Sequence, residues 1–328
     1  MTRVLRCTAT AALLLAGAVT APAPVRAADK PSVTIGFVAM LSEFWPAMVA
    51  DRKGFFDEAG IKADIVTTSA SAKSVQMAAI GAINVGTGSL LDATRGIDAG
   101  ADIKVVASGV VISTTMLYAR PEIRSVAELK GKRVMVGGPK DITNVWWAAM
   151  AKASGLDGAT DVDLLFAGAT PDRYAALVGG VDAVAVSTPM AFSAEQKGYA
   201  NLGLMGPFIP DLPYIAWYAN GPWAKANRGA VTAFVKGLSR GVDFIYETKN
   251  RAEAAAILAD FTKVSADDAL KTYDLIVRIK AFAPGVGFTD ASVNETQKVL
   301  IEMGDMKPPA KPVAAIYDDS FVKAVAGK

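Results

Sequence analysis

The 328-residue chain has no histidine and a single cysteine, Cys7. Without histidine, neither a Ser-His-Asp triad nor a Cys-His nucleophile pair can be built, and the usual zinc ligand sets are excluded as well. A carboxylate pair or a lysine base could still act, but no paired spacing singles one out. We therefore expect a protein that is not an enzyme, with no catalytic residues and no metal site.

Two further motifs are missing. Gly86 and Gly88 resemble the start of a dinucleotide fingerprint, but no third glycine follows at the required spacing, so we expect no nucleotide or other cofactor. Clustered lysines and arginines, which bind nucleic-acid phosphates, are also lacking. We therefore expect no nucleic-acid partner.

Residues 1–27 have the pattern of a secretory signal peptide. Arg3 and Arg6 precede an apolar run over residues 8–21, and residues 25–27 supply the small-residue pattern that a signal peptidase reads. The run is shorter than the roughly 20 apolar residues that a membrane span needs. We therefore expect a periplasmic protein, secreted through a cleaved signal peptide.

Removal of this segment changes the charge and the cysteine content. The whole chain has 34 Lys and Arg against 32 Asp and Glu, and three of the arginines lie in residues 1–27. Since 34 minus 3 leaves 31 bases, the mature net charge is −1. The mature chain has no cysteine and so no disulfide. Its fold must be held by a buried core, which a chain with 52% hydrophobic residues can supply.

The segment of residues 125–147 combines a helix start, a strand, a glycine turn and a second helix start. Ser125 and Glu128 form a capping-box pair, residues 133–136 form a short apolar strand, and Asp141 or Thr143 can cap the next helix. Such a helix presents its free amides at the carboxyl end of the strand, where ligands bind in α/β sheets.

Strands and helices alternate from residue 31 to about residue 219, which indicates a largely parallel sheet architecture of the α/β class. One helix is predicted over residues 46–59. After Trp223 the pattern is helical only, with caps predicted at Asn250, Ser265 and Ser292.

An internal repeat points to two lobes. MAAIGAINVGTGSLLDA at residues 77–93 and YAALVGGVDAVAVSTPMAF at residues 174–192 share an Ala-rich helix end, a glycine, a short strand with Asn84 or Asp182, and a small-hydroxyl turn. We expect the first lobe to comprise residues 28–112 and 213–328, and the second lobe to comprise residues 113–212.

Five segments in this order resemble one protein family: GFVAM, ADRKGFFDEAGIKADIV, AAIGAINVGTGS, SVAELKGKRVMVG and AALVGGVDAVAVSTP. The set resembles the periplasmic solute-binding proteins of nitrate, sulfonate and taurine importers, a class that includes thiamine-precursor binders. Asn84 departs from the aspartate that is commoner there.

The resemblance implies a two-lobed periplasmic-binding-protein clamshell of the type II-like form, with two doubly wound sheets joined by two hinge crossings. It implies a monomer that captures a small-molecule ligand between the lobes and delivers it to the membrane permease of an ABC importer. Hinge closure is consistent with two crossings.

Candidate ligand-binding residues follow the predicted strand ends of both lobes. The resemblance places first-lobe candidates at Ser42, Glu43, Phe44, Trp45, Ser71, Gly88 and Ser89, second-lobe candidates at Ser113, Thr114, Asp141, Thr143, Asn144, Ser187 and Thr188, and Trp217 near the hinge. Four of the hydroxyl residues could equally be helix caps, and the two roles are compatible: Ser71, Ser89, Thr143 and Ser187.

The ligand class is predicted from conflicting charges. Glu43 and Asp141 favour an amine or hydroxyl group, whereas the helix starts favour an anion, which Lys73 or Lys140 could pair with. We favour a small organic anion, of the sulfonate or carboxylate kind, because Phe44, Trp45 and Trp217 offer apolar area. The alternatives are a thiamine-pyrimidine precursor and, less favoured, an enzyme of the related thiamine-precursor synthase fold.

Overall fold

A computed structural model describes residues 30–327, and the predicted signal peptide lies outside them. Ten strands, numbered in chain order, are β1 (Ser32–Phe37), β2 (Lys62–Thr67), β3 (Val85–Ser89), β4 (Ile103–Ser108), β5 (Met116–Ala119), β6 (Arg133–Val136), β7 (Asp163–Phe166), β8 (Ala183–Val186), β9 (Ala200–Leu204) and β10 (Ile215–Asn220). They form two five-stranded sheets, ordered β2-β1-β3-β10-β4 and β7-β6-β8-β5-β9. The predicted α/β class with two sheets is confirmed.

The two sheets share one topology. In each, three neighbouring strands run parallel, and the fourth strand in the order, β10 or β5, runs antiparallel to both its neighbours. Both sheets are therefore mixed. In chain order, β5 is the first strand of the second sheet, and β10 is the strand with which the chain returns to the first.

Within residues 30–327, fourteen α-helices accompany the strands. Before β10 they are α1 (Trp45–Arg52), α2 (Phe55–Ala59), α3 (Ser71–Ala79), α4 (Leu90–Asp98), α5 (Ile142–Ala153), α6 (Thr170–Val178) and α7 (Met190–Gln196). After β10 come α8 (Gly221–Ala226), α9 (Arg228–Tyr246), α10 (Arg251–Thr262), α11 (Ala266–Ile279), α12 (Asp290–Glu302), α13 (Val313–Ile316) and α14 (Ser320–Ala326). In the part of the chain that the structure describes, no helix has both the length and the apolar character to cross a membrane.

The single helix predicted over residues 46–59 is two helices. Gly54 adopts a left-handed conformation with φ of 71°, which ends α1 and begins α2. This conformation is accessible to glycine without steric cost. The sequence pattern missed the break because the apolar spacing continues through it.

The internal repeat coincides with equivalent elements of the two sheets. Both copies run from a helix, α3 or α6, into the third strand of a sheet, β3 or β8. Asn84 Oδ1 accepts a hydrogen bond of 2.8 Å from the Thr34 amide, and Asp182 Oδ2 accepts one of 2.9 Å from the Arg133 amide. The repeated polar residue therefore ties the third strand of each sheet to the strand beside it.

Two chain crossings join the sheets, one between β4 and β5 and one between β9 and β10. They hydrogen-bond to each other, since the amides of Tyr214 and Ile215 donate to the Val110 carbonyl at 3.1 and 2.8 Å. The predicted lobe boundaries, 112–113 and 212–213, fall within these crossings and stay a prediction at that precision.

Candidate functional site

A cavity of about 350 Å3 lies between the two sheets, at the carboxyl ends of β1, β3, β6 and β7. Ligands of open α/β sheets bind at such ends, and the volume falls in the lower part of the roughly 300–1,000 Å3 range of small-molecule sites. The wall contributed by the first sheet is formed by Val38, Leu41, Glu43, Phe44, Ala70, Ser71, Ala72, Gly88, Ser89, Asp92, Arg95, Tyr214 and Ile215. The opposite wall is formed by Gly137, Gly138, Lys140, Asp141, Ile142, Thr143, Gly168, Ala169, Thr170 and Arg173.

Four helices begin at this cavity. Ser71 starts α3, Ser89 precedes α4, Asp141 precedes α5, and Thr170 starts α6, and all four residues line the wall. Helix N-termini carry free amide groups and a partial positive charge, so their convergence favours an anion.

The two sides of the cavity repeat one hydrogen bond. Ser71 Oγ accepts from the Ser89 amide at 2.9 Å, and Thr170 Oγ1 accepts from the Ser187 amide at 3.3 Å. Each bond fastens the start of the repeated helix to the end of the third strand. Gly88 is required here because a Cβ at this position would collide with the Ser71 side chain.

Asp92 and Arg95 lie on the wall, but they already form hydrogen bonds and ion pairs with each other and with neighbouring residues. Ser89 Oγ donates to Asp92 at 2.9 Å and accepts from the Asp92 amide at 3.0 Å, while Arg95 forms an ion pair with Asp92 and another, at 2.9 Å, with Asp305. Burial raises the pKa of the Asp92 carboxyl, and the Ser71 hydroxyl partly offsets it.

A third ion pair joins the two sides at the cavity rim. Lys140, from the second-sheet wall, pairs with Asp305, and its carbonyl accepts from Arg95 Nη2 at 3.0 Å. Burial of the Asp305 carboxyl opposes ionisation, but Lys140 and Arg95 outweigh it and lower the pKa. The charges of Lys140 and Arg95 are therefore already compensated.

Arg173 is a buried cation on α6. Its side chain is only 2% exposed. Nε donates to the Ala185 carbonyl at 2.6 Å, Nη1 to the carbonyls of Ala167 and Gly168, and Nη2 to Thr170 Oγ1 at 3.1 Å. These acceptors are neutral, and no carboxylate of residues 30–327 forms an ion pair with it. A buried, uncompensated charge is costly unless an opposite charge meets it.

Glu43 is the corresponding buried acid on the other side. It lies in the 3-10 turn Ser42–Phe44, is 1% exposed, and neither carboxylate oxygen has a hydrogen-bond partner within the described residues. Burial raises the pKa of the Glu43 carboxyl to about 7, although the hydroxyls of Ser187 and Ser42 and the charge of Arg173 act in the opposite direction.

Of the fifteen predicted site residues, the structure brings seven together around the cavity: Glu43, Phe44, Ser71, Gly88, Ser89, Asp141 and Thr143. Asp141 caps α5 by accepting from the Thr143 amide at 2.8 Å, and Thr143 Oγ1 accepts from the Gly137 amide at 2.8 Å. Ser89 caps α4. The two proposed roles, cap and cavity wall, therefore coincide at Ser89.

Five other predicted residues form a buried hydroxyl network beside the cavity and do not line it. Ser42 and Thr188 oxygens lie 2.7 Å apart, Thr188 donates to Thr114 at 2.9 Å, Ser187 lies 2.9 Å from Thr115, and Ser113 accepts from the Thr115 amide at 3.1 Å. Since Ser42 belongs to the first-sheet side and Thr188 to the second, this network joins the two sides directly.

The remaining three predicted residues, Trp45, Trp217 and Asn144, point elsewhere. Trp45 and Trp217 are fully buried in the hydrophobic core. Trp45 Nε1 donates to the Ala254 carbonyl at 3.1 Å. Asn144 donates to the Pro139 carbonyl at 2.8 Å, outside the wall. The aromatic surface of the cavity is therefore Phe44 with Tyr214, not the predicted tryptophans.

Sequence reasoning missed Thr170 and Arg173, together with Asp92, Arg95 and Tyr214. The repeat contained a signal for Thr170, because Ser71 and Thr170 both begin the helix that leads into the repeated strand. Arg173 follows Thr170 by three residues, so the same face of the helix carries both. No comparable signal marked Tyr214.

Among residues 30–327, no three His, Cys, Asp and Glu side chains come together as a metal site would need. The uncompensated groups of the cavity are one cation, Arg173, and one acid, Glu43. The other charged residues of the wall have partners, and the remainder is apolar side chains, glycines and hydroxyls. Such a site can orient a small polar molecule.

Comparison with known proteins agrees with this geometry. The sequence pattern of the family described as "NMT1/THI5 like" matches residues 42–252, well over half of the chain. A protein of Brucella abortus (strain 2308), named as a candidate binding protein, is 24% identical over 246 residues, which cover 73% of this chain and 74% of the relative.

Solved structures show the same fold. The alkanesulfonate-binding protein SsuA from Xanthomonas axonopodis pv. citri, bound to MOPS, superposes with a TM-score of 0.72 at 18% identity, covering 89% of this chain and 99% of that one. The periplasmic nitrate-binding protein NrtA from Synechocystis PCC 6803 gives 0.71 at 14% identity, covering 90% and 88%.

An enzyme shares the fold as well. A point mutant of the desulfurization enzyme DSZB, in complex with biphenyl-2-sulfinic acid, gives a TM-score of 0.67 at 14% identity, covering 91% of this chain and 99% of that one. Fold alone therefore does not separate binding from catalysis. The chain belongs to the NMT1/THI5-like family and has the two-lobed fold of the periplasmic binding proteins of ABC importers.

Proposed function

We propose that the protein is the extracytoplasmic solute-binding component of an ABC import system, and that its interlobe cavity holds a small organic anion. The anionic group, a sulfonate or carboxylate, meets Arg173. The filled, closed protein delivers this ligand to a membrane permease. In this proposal the protein acts in the periplasm as a monomer without a cofactor.

The main observation behind this proposal is the burial and hydrogen bonding of the Arg173 side chain. Its guanidinium is buried, bonded only to neutral acceptors, and directed at a cavity on which four helix N-termini converge. Of its five N–H groups, the four hydrogen bonds leave one N–H on Nη2 to donate. A bound anion would compensate the charge and accept that hydrogen bond.

The residue content of the cavity favours binding over catalysis. Apart from Glu43 and Arg173, the charged side chains of the wall are held in ion pairs or in a helix cap, and the chain lacks histidine and a second cysteine altogether. The names of the similar proteins, a binding protein, an alkanesulfonate-binding protein and a periplasmic nitrate-binding protein, support the same choice.

A thiamine-pyrimidine precursor is the second candidate, because the unpartnered Glu43 carboxylate could accept from an aminopyrimidine. Such a ligand would leave the Arg173 charge without an anion. The organic anion is therefore the better match to the whole cavity.

A thermal-shift screen of the mature protein tests the proposal. The panel contains alkanesulfonates, aromatic and aliphatic carboxylates, nitrate and aminopyrimidines. A ligand at 100 times its dissociation constant adds about 2.7 kcal/mol to the free energy of unfolding. We expect organic anions to raise the melting temperature. A panel in which only aminopyrimidines, or no compounds, give a shift would contradict the proposal.

A further inference from the structure

We infer that Glu43 is a specificity-determining residue of the cavity, and that the ligand carries an N–H or O–H donor, such as an amine or hydroxyl, in addition to its anionic group. The inference rests on the proposed function. It deepens the ligand class from an organic anion to a bifunctional molecule that presents its donor to Glu43 and its anion to Arg173.

The Glu43 carboxylate is positioned to meet a ligand. It lines the cavity at 1% exposure, and neither oxygen has a hydrogen-bond partner among residues 30–327. Buried polar groups in folded proteins nearly always have partners, so two unpartnered oxygens on one carboxylate indicate a group that is satisfied from outside the chain.

The residues on both sides of Glu43 are anchored in this structure, which holds the turn that carries it at the cavity wall. The Ser42 amide and hydroxyl both donate to the Thr188 carbonyl, at 3.3 and 2.8 Å. On the other side, the Phe44 ring packs 5.2 Å from that of Phe37 and 6.2 Å from that of Trp217.

The other acids of the wall already have partners. Asp92 accepts from Ser89 and pairs with Arg95. Asp141 accepts from the amide and hydroxyl of Thr143. The hydroxyls of Ser42 and Ser187 lie near Glu43 and lower its pKa, but they bond to Thr188 and Thr115. Glu43 is therefore the acid of the described wall whose two oxygens have no hydrogen-bond partner.

Arg173 does not satisfy Glu43 directly. The guanidinium bonds to carbonyls and Thr170 on its own side, and none of the ion pairs among residues 30–327 joins it to Glu43. Its charge acts on Glu43 only through space, where it lowers the pKa. The cavity therefore presents an acceptor on one side and a cation on the other. A ligand with complementary ends would contact both sides at once, which explains how it could favour the closed form.

Ionisation of Glu43 is linked to this recognition. Two ionisable groups face Glu43 closely: Arg173 on α6 and Tyr214 before β10. Four more lie further along the cavity wall: Asp92 and Arg95 on α4, and Lys140 and Asp141 before α5. Burial holds the pKa of Glu43 at about 7. A donor group would bind the ionised carboxylate, so its binding at neutral pH should release a proton.

Matched pairs of probes test the inference by titration calorimetry. Suitable pairs are propane-1-sulfonate with 3-aminopropane-1-sulfonate, and benzoate with 4-hydroxybenzoate or 4-aminobenzoate. A hydrogen bond to a charged group contributes about 1.5–3 kcal/mol, so the wild type should bind the donor-bearing member of at least one pair about tenfold more tightly or better. Glu43→Met should reduce that preference to about threefold or less.

Two control variants show whether a change in binding comes from the lost charge of Glu43 or from a disturbed fold. Glu43→Gln keeps a neutral acceptor and should give an intermediate preference, while Glu253→Gln, on the exposed surface of α10, should behave as wild type. Melting temperatures confirm that each variant folds. Repeating the titration in buffers of different ionisation enthalpy should show release of about half a proton at pH 7 in the wild type and none in Glu43→Met.

The outcomes distinguish this inference from the proposed function. If plain anions bind the wild type without any preference for donor-bearing partners, or if Glu43→Met keeps the preference, the role of Glu43 is wrong and the anion proposal stands. If no member of any pair binds, both are wrong.

Discussion

Glu43 and Arg173 show what sequence can and cannot reveal about a single residue. Glu43 lies in the loop after a predicted strand, which is enough to place it near the strand's carboxyl end and at the cavity. Arg173 lies within a helix, where an arginine usually faces solvent. It is buried because carbonyls from residues 167, 168 and 185 surround it, and only the tertiary fold assembles those acceptors.

For the hydroxyl residues, the sequence predicted the kind of contact but not the direction in which each side chain points. Their type predicted polar contacts correctly at Ser71, Ser89 and Thr143, which bond backbone amides and line the cavity. Ser187 and Thr188 have the same pattern after β8, but they face the interlobe network. The order of residues after a strand does not predict whether a side chain points into the cavity or into the contact between the lobes.

Stability should depend on pH through Glu43. Its pKa is 4.5 in the unfolded chain and about 7 in the folded protein, so the folded state holds the proton more tightly. The stabilising contribution of the protonated carboxyl is complete below pH 4.5 and is lost as pH rises through about 7. The wild type should lose about 3 kcal/mol over that window relative to Glu43→Gln.

Urea unfolding of the wild type and Glu43→Gln at pH 4.5 and pH 8 measures this difference. A difference in unfolding free energy that is the same at both pH values would show that the buried carboxyl does not titrate as described.

At the scale of elements, the sequence predicted one of three helix caps in the C-terminal part at the correct residue. Ser265 caps α11 as expected, accepting from the Asp268 amide at 3.1 Å. The cap predicted at Ser292 lies three residues earlier, where Thr289 accepts from the Ser292 amide at 3.2 Å. Asn250 precedes α10 but makes no capping bond with its side chain. Several polar residues near a helix start compete, and the packing of the whole helix decides which of them caps it.

The placement of Trp45 depends on the packing of helices far along the chain. Trp45 begins α1, and its indole lies 6.1 Å from Tyr273 of α11 and bonds to Ala254 of α10. Both partners are more than 200 residues later. An aromatic residue just after a strand is consistent with a cleft, and only the position of α10 and α11 turns it into the core.

Trp45→Ala should therefore destabilise the fold without a direct effect on the ligand. Truncating a buried tryptophan costs about 3–5 kcal/mol. We expect the free energy of urea unfolding to fall by that amount, with the dissociation constant of a bound anion changed little under conditions where the variant is folded. The half-buried Trp223→Ala should lose less. A loss of affinity with unchanged stability would show that Trp45 contacts the ligand and is not a core residue.

At the scale of the molecule, the alternation of elements and the repeat predicted two α/β lobes, and the strand orders of the two sheets agree with that expectation. The antiparallel strands β5 and β10 were not foreseen. Their direction is set where the chain crosses from one sheet to the other, and a local pattern of apolar residues carries no information about strand direction.

The Ser42–Thr188 contact offers a way to test lobe movement. The two oxygens lie 2.7 Å apart on opposite sides, and residues 30–327 contain no cysteine. Because the two side chains are in direct contact, Ser42→Cys with Thr188→Cys should form a disulfide that holds the lobes together. Oxidation should slow release of a bound anion by about tenfold or more.

Stopped-flow measurement of ligand release compares the oxidised and reduced double variant, with Ser42→Cys alone as the control. Equal release rates in a variant whose thiols are fully paired would mean that ligand exchange does not require the lobes to separate.

The most direct test of the account is the dissociation constant of the best organic anion from the screen, measured by titration calorimetry for the wild type and for Arg173→Met. Removing one partner of a buried charge pair costs about 2–5 kcal/mol, so we expect Arg173→Met to weaken binding at least about thirtyfold. The exposed Arg124→Met, with the same loss of charge on the second lobe, should bind as wild type. Equal affinities for the wild type and a folded Arg173→Met would contradict an anion site at Arg173.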